Sequence, residues 1–418
     1  MTNSLLDAMR TQAARQVGHW TAAAEALRNL DELASPQAWA GLESYLGLAV
    51  RTRLTGVVDR LLAEAAVLRA ELRAAETVAA VDAVRRHMLA FTGRYLRAEL
   101  TVDFFTDAVK TRTTPRLAGL LRACDTLAHR SLAQALEPLD RPVPVVLSYV
   151  DTGRGAQILK AGLRLWDGGT ESPAAAVKIT WHNLLRPTAL IHETGHQFAH
   201  ACGWTSEFAA GLRRTLPPAA AQHWAAWASE TVADAFAFAH TGYASVAALH
   251  DVVAGNTAAV HRVIPGDPHP PAYLRVLLGV RMCRTHYGAG AWDDLEEAWI
   301  AAHPVRDADP GTGDLLRDCL PALDDVTRLS LDTPMRAFGG RPLSALVPPA
   351  RSHPKALEDL EQRLGPALYR SMHWIWAEAL RLLALTGYRV ATRPDQAAEV
   401  LRQQEDWMLR LGGTVPDA

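Results

Sequence analysis

Thr188-Ala189-Leu190-Ile191-His192-Glu193-Thr194-Gly195-His196-Gln197-Phe198-Ala199-His200 is the stretch around which the chain is organised. Pro187 in front suits a first helical position, Gly203 behind suits a left-handed stop, and Leu190, Ile191 and Phe198 supply a core face, so the spacing predicts a helix. On a helix a four-residue step turns about 400° and rises about 6 Å, which puts His192 and His196 on one face, close enough to share an ion. Glu193 falls about 100° further round, beside such an ion and not on it, where its carboxylate can take a proton from an activated water.

Two residues compete to be the third ligand. His200 continues the series, but a straight helix carries it about 12 Å along the axis and about 80° round from His192, beyond the reach of one tetrahedral ion with ~2 Å bonds. Glu230, in Trp227-Ala228-Ser229-Glu230-Thr231-Val232-Ala233-Asp234, is the better candidate. The run from Pro217-Pro218 to Thr241-Gly242 reads as one long helix with Glu230 near its middle. A carboxylate in so alanine-rich and aromatic a stretch needs a partner or a metal. Asp234, four residues on, fits the role of accepting the free ring N–H of a ligand histidine and fixing its tautomer.

His-Glu-x-x-His followed 34 residues beyond His196 by a helical Glu-x-x-Ala-Asp resembles the gluzincin clan of zinc metallopeptidases, the thermolysin-like group. The resemblance covers about residues 143–290 and is specific at His192, Glu193, His196, Glu230 and Asp234. It implies a zincin-like core holding Zn2+ through His192, His196 and Glu230, with Asp234 behind the ligands and Glu193 as base. It further implies an edge strand at Val177–Trp181 that pairs with substrate backbone, and a donor for the oxyanion. His-Pro segments ahead of an arginine-bearing helix occur in some gluzincins, and that analogy picks out His269, Tyr273 and Arg275, with Tyr243 and His240 as rivals.

The rest of the chain bounds this reading. With 418 residues, 49% of them hydrophobic and 21% charged, there is room for one large or two to three smaller domains. A net charge of −2 without a long basic tract argues against a nucleic-acid partner. No apolar run approaches membrane-spanning length, and the polar start Met1-Thr2-Asn3-Ser4 lacks the regions of a signal peptide, so the cytoplasm is the expected location. Cys124, Cys202, Cys283 and Cys319 are too widely separated for a Cys-x-x-Cys site.

Residues 1–141 read as a helical region, from Gln16 to Leu33, Gln37 to Ala75, Val78 to Val109 and Thr114 to Leu136, with Leu42, Leu46, Val50, Leu54, Val57, Leu61 and Leu62 forming an apolar face. That face packs within the chain or associates with a partner protein or a second copy. These helices carry no chemical motif and are expected to wall or cover the catalytic segment. Residues 142–330 form the core, opening with β-prone runs at Val143–Val150, Ala156–Trp166 and Ala174–Trp181. Residues 331–418 read as a C-terminal helical region, in which Met372-His373-Trp374-Ile375-Trp376 looks like core. The expectation is a mainly α protein with a small sheet (α+β), acting as a zinc peptidase on a peptide or protein substrate. The competing expectation is a helical interaction protein with a structural or vestigial zinc site.

Overall fold

In the computed structural model, which describes residues 2–153, 157–159 and 174–413, helices fill most of the chain and three short strands make one sheet. The described residues divide into two compact units, one containing the helices up to Thr113 and the other containing everything from Thr114 to Leu159 and from Val177 onward. No helix is long and apolar enough to cross a membrane among the described residues.

The first unit is built on three long helices, Thr2–Leu27, Val50–Ala74 and Val78–Lys110. Val17 and Ala24 from the first, Val57, Leu61 and Leu68 from the second, and Val84, Met88 and Phe91 from the third close into one buried cluster. The apolar face foreseen at Leu54, Val57 and Leu61 is therefore satisfied within the chain. The helix expected to run from Gln37 to Ala75 is two helices, Pro36–Leu46 and Val50–Ala74, because Gly47 takes a left-handed conformation (φ 62°) that glycine reaches without steric cost.

The second unit does not follow the boundaries expected near 141 and 331. The helix Pro115–Leu136, assigned to the N-terminal region on sequence, packs on β1 (Val146–Val150) and on the helix of the histidines, and Ser148 N–H donates to Asp125 at 2.6 Å. Its arginines reach the far end of the chain. Arg122 Nε donates to the Gly412 carbonyl at 2.7 Å, just past the last helix, Ala397–Leu411, so the C-terminal helices belong to the same unit as the histidines.

The sheet runs in the order β1-β3-β2, with β2 at Gln157–Leu159 and β3 at Ala175–Ile179. The remainder of the Ala156–Trp166 run, together with Arg154-Gly155 and Asp167-Gly168-Gly169, lies outside the described residues. β3 is the central strand. The strand expected to offer an edge to substrate thus has a neighbour on each side, and four of its five residues are buried instead of leaving a polar face. The free edges of the described sheet belong to β1 and β2, and β2 lies against the histidine helix.

Met372–Trp376 is corrected too. Ile375 is fully buried, but Met372 and Trp376 are exposed, so only part of this cluster serves the core.

Candidate metal centre and cleft

The helix carrying the histidines spans Thr188–Cys202, and Gly203 (φ 70°) ends it as the sequence predicts, while Pro187 is its N-cap, one position earlier than expected. Leu190, Ile191 and Phe198 are fully buried. Phe198 stacks on Phe236 and Phe338 with centroids 5.0 and 5.3 Å apart, which anchors the back of this motif helix in an aromatic layer. Thr194 ties the motif helix to Pro115–Leu136 through a 2.9 Å hydroxyl pair with Ser131.

The segment carrying Glu230 is not one long helix. It is Pro218–Ala226 followed by Ala228–Thr241, with Trp227 between them in a non-helical conformation (φ −91°, ψ 9°). Trp224 and Trp227 pack edge to face at 5.6 Å, so the break is held by burial of two indoles. Its consequence is electrostatic. Glu230 occupies the first turn of the glutamate helix, Ala228–Thr241, where the helix dipole favours a carboxylate.

Motif helix and glutamate helix cross at Gly195. A Cβ there would lie 2.9 Å from Ala233 Cα and 3.1 Å from the Ala233 carbonyl oxygen, contacts with backbone that cannot swing aside. Only glycine lets the two helices approach so closely, and that approach brings Glu230 up to the histidines. Gly195→Ala is therefore expected to destabilise the protein by about 1–2 kcal/mol, since overpacking outweighs the gain in helix propensity, and to weaken metal retention with it. A thermal melt with unchanged or higher midpoint and full metal content would show that the close approach sets nothing.

The donor atoms converge. His192 Nε2 lies 3.3 Å from Glu230 Oε2, and His196 Nε2 lies 3.2 Å from Glu230 Oε1. One donor atom from each of the three residues falls within 4.8 Å of the others. Three donors gathered this closely could hold one metal ion. Glu230 Oε2 is also buried without an aligned hydrogen-bond partner among the described residues, which is the state of an atom that an ion would satisfy.

Both histidines are held from behind. His192 Nδ1 is 2.8 Å from Asp234 Oδ1, at ion-pair distance but not in an aligned hydrogen bond, and His196 Nδ1 is 3.3 Å from Ser229 Oγ. Asp234 is in turn gripped by Arg275, whose Nε and Nη2 each donate to it at 2.7 Å in a bidentate pair. Burial opposes ionisation of Glu230, yet the three histidines around it hold its carboxyl well below the usual range. Burial likewise works against charging His192, but Asp234 and Glu230 outweigh it and push its pKa up to about 10. The carboxylates of this centre thus call for positive charge.

Glu193 is buried at the same site, and desolvation raises its pKa, with His192 and His196 pulling the other way. It lines a cavity of about 150 Å³ together with His192, Asp234, His269 and Arg275. Much of the rest of its lining is apolar, with Val246, Leu249, Val252 and Met282 among the residues.

Of the remaining candidates, His269 joins the site and Tyr273 does not. His269 Nε2 is 3.2 Å from Glu230 Oε2, and its Nδ1 is 2.6 Å from Asp267, whose carboxylate also accepts the His269 backbone N–H. The contact with Glu230 raises its pKa, favouring the form with an N–H on both nitrogens. Tyr273 is buried on another side of the helix Ala272–Tyr287, edge to face with His261 at 5.1 Å, where it cannot serve the cleft. His200 is exposed at the end of the motif helix and outside the ligand group. Tyr243 and His240 are buried away from this cavity, Tyr243 against Trp292 at 5.6 Å and His240 against Phe236 at 4.6 Å.

Sequence reasoning missed Ser229, Asp267 and Asn183. Ser229 precedes the glutamate directly, and Asp267-Pro268-His269 is a turn-forming run in which an aspartate bonds a backbone two residues on, so both were open to local argument. Asn183 lines the cavity beside Glu193, buried, with its Nδ2 lacking a hydrogen-bond partner among the described residues. Its position after β3 gives no sequence signal. Comparisons with protein-family models, with curated proteins and with solved structures each found no match.

Proposed function

We propose that this chain is a zinc-dependent hydrolase, a peptidase of gluzincin type that cleaves peptide bonds in a peptide or protein substrate. The observation that carries the reading is Glu193, a buried carboxylate that belongs to no ligand pair yet opens, with His192, onto a cavity. A site whose only task is to brace a fold closes its coordination and needs no base beside it.

Zinc held by His192, His196 and Glu230 would supply a Lewis acid for the scissile carbonyl and would acidify water. Glu193 takes the proton of the attacking water and delivers it to the leaving amine, a role its raised pKa suits by bringing it nearer neutrality. His269, half exposed and oriented by Asp267, would turn the Nε2 N–H that now meets Glu230 toward charge developing on the carbonyl oxygen once a metal takes that carboxylate. Arg275 holds Asp234 and so keeps His192 in place. The apolar lining at Val246, Leu249 and Val252 accepts an uncharged side chain of the substrate.

The experiment is a peptide-mixture digest by the purified chain, read by mass spectrometry before and after metal removal. Cleavage is expected beside apolar residues, lost with a zinc chelator and restored by one equivalent of Zn2+. Cleavage indifferent to the chelator, or none from chain shown to contain zinc, would dismiss the reading.

A further inference from the structure

The helix Pro115–Leu136, the end of the glutamate helix and the helix Met372–Thr392 enclose a second cavity of about 350 Å³, to which no residue of the candidate metal centre contributes. Its charges do not balance. Arg130, Arg351 and Arg381 line it, against Glu137 and Glu378 as the carboxylates of its wall. Glu378 Oε2 serves two guanidinium groups, 3.2 Å from Arg381 and 3.8 Å from Arg351. Arg381 is otherwise occupied, donating to the Arg351 carbonyl at 3.1 Å and the Ala356 carbonyl at 2.9 Å, so it braces the turn Pro349–Ser352 that presents Arg351.

Arg130 is the residue in excess. It has no carboxylate within ion-pair distance among the described residues; its contacts are the Ala377 carbonyl at 3.4 Å and the face of Trp376, 5.3 Å from the ring centroid. Helix Met372–Thr392 is kinked at Glu378 (φ −113°, ψ 17°), next to the Ala377 carbonyl that Arg130 takes. A guanidinium stacked on an indole keeps its in-plane N–H groups available for a two-point grip on an oxyanion. The same geometry explains why Trp376, a large aromatic, stands 48% exposed at this cavity. His240, 3% exposed, also lines the cavity; burial, with the Arg351 cation, lowers its pKa to about 3 and keeps the ring neutral, and its Nε2 has no hydrogen-bond partner among the described residues. Burial lowers the Arg130 and Arg381 pKa values; Glu378, with Glu137 for Arg130, opposes the shift, and the neighbouring Arg351 cation adds to it.

We infer that this cavity binds a small oxyanion, the phosphate or carboxylate group of a low-molecular-weight ligand, gripped between Arg130 and Arg351. The inference is independent of the peptidase reading, since it uses none of the same residues. Isothermal titration calorimetry on the full chain at constant ionic strength, with inorganic phosphate in one series and acetate in another, tests it. Saturable one-to-one binding is expected for one of the two probes, and the one that binds identifies the group. Arg351→Gln and Arg130→Gln are each expected to weaken it by about tenfold or more, as loss of a charge-assisted pair does, with zinc content unchanged. Arg351 is half exposed and its substitution leaves the core untouched, so its variant serves as the folded control, checked by circular dichroism. No saturable binding of either probe, or binding that both variants retain at full affinity, overturns the inference.

Discussion

With Glu193 as the proposed base, Glu193→Gln is expected to retain zinc and to abolish hydrolysis. The substitution removes the base and leaves His192, His196 and Glu230 in place, so zinc content measured on the purified variant stays at the wild-type level. General-base catalysis contributes about 10² to 10⁴ in rate, and the carboxylate's charge acts on the same transition state, so turnover of an identified peptide is expected to fall by at least that range. Glutamine matches glutamate in size, and the position is already desolvated, so the fold is not penalised. A variant that cleaves at near-normal rate would remove Glu193 from the mechanism.

The second large effect concerns the ligands. Glu230→Gln replaces a charged oxygen donor with a neutral one and also leaves three histidines without the carboxylate they surround, so it is expected to empty the site. His200→Ala leaves metal content intact, because that ring is exposed beyond the ligand group. Asp234→Asn falls between them, with a loss on the order of 10- to 100-fold in affinity, and it also breaks the bidentate pair with Arg275. Metal analysis of the three variants side by side separates the assignments. A site emptied by His200→Ala and kept by Glu230→Gln would reverse them.

What could be read from the sequence was whatever is settled within a few residues. The motif helix ends where Gly203 adopts a positive φ, and the pairing of His192 with His196 follows from helical period alone. Glu230 and Asp234 were legible as residue types, because carboxylates in an alanine-rich run require partners. Three features were not legible, each for a non-local reason. Nothing in Ala225-Ala226-Trp227-Ala228 is a helix breaker; the interruption exists because Trp224 and Trp227 pack on one another and Trp224 Nε1 donates to the carbonyl of Cys319, 95 residues away. β3 alternates like a half-exposed strand, but strand order depends on which segments arrive on either side. Trp376 belongs to an aromatic cluster whose composition suggests core, and Arg130 on a distant helix gives its ring a place at the surface. His269 and Tyr273 were proposed on the same analogy and parted because only His269 precedes the helix, in a turn fixed by Asp267.

The interruption at Trp227 also governs how the protein tolerates changes in length. In one continuous helix, a residue inserted anywhere upstream of Glu230 would turn the carboxylate about 100° relative to the preceding segment and carry it about 1.5 Å along the axis, so every insertion would misalign the site. With a joint between Pro218–Ala226 and Ala228–Thr241, the angular phase of Glu230 is set by its own short helix and by the backbone contact at Gly195. Insertions before Trp227 are absorbed at the joint. Insertions between Glu230 and Ala233 are not, which leaves a stretch of about one turn as the part of this helix where residue spacing itself is fixed by the contact at Gly195.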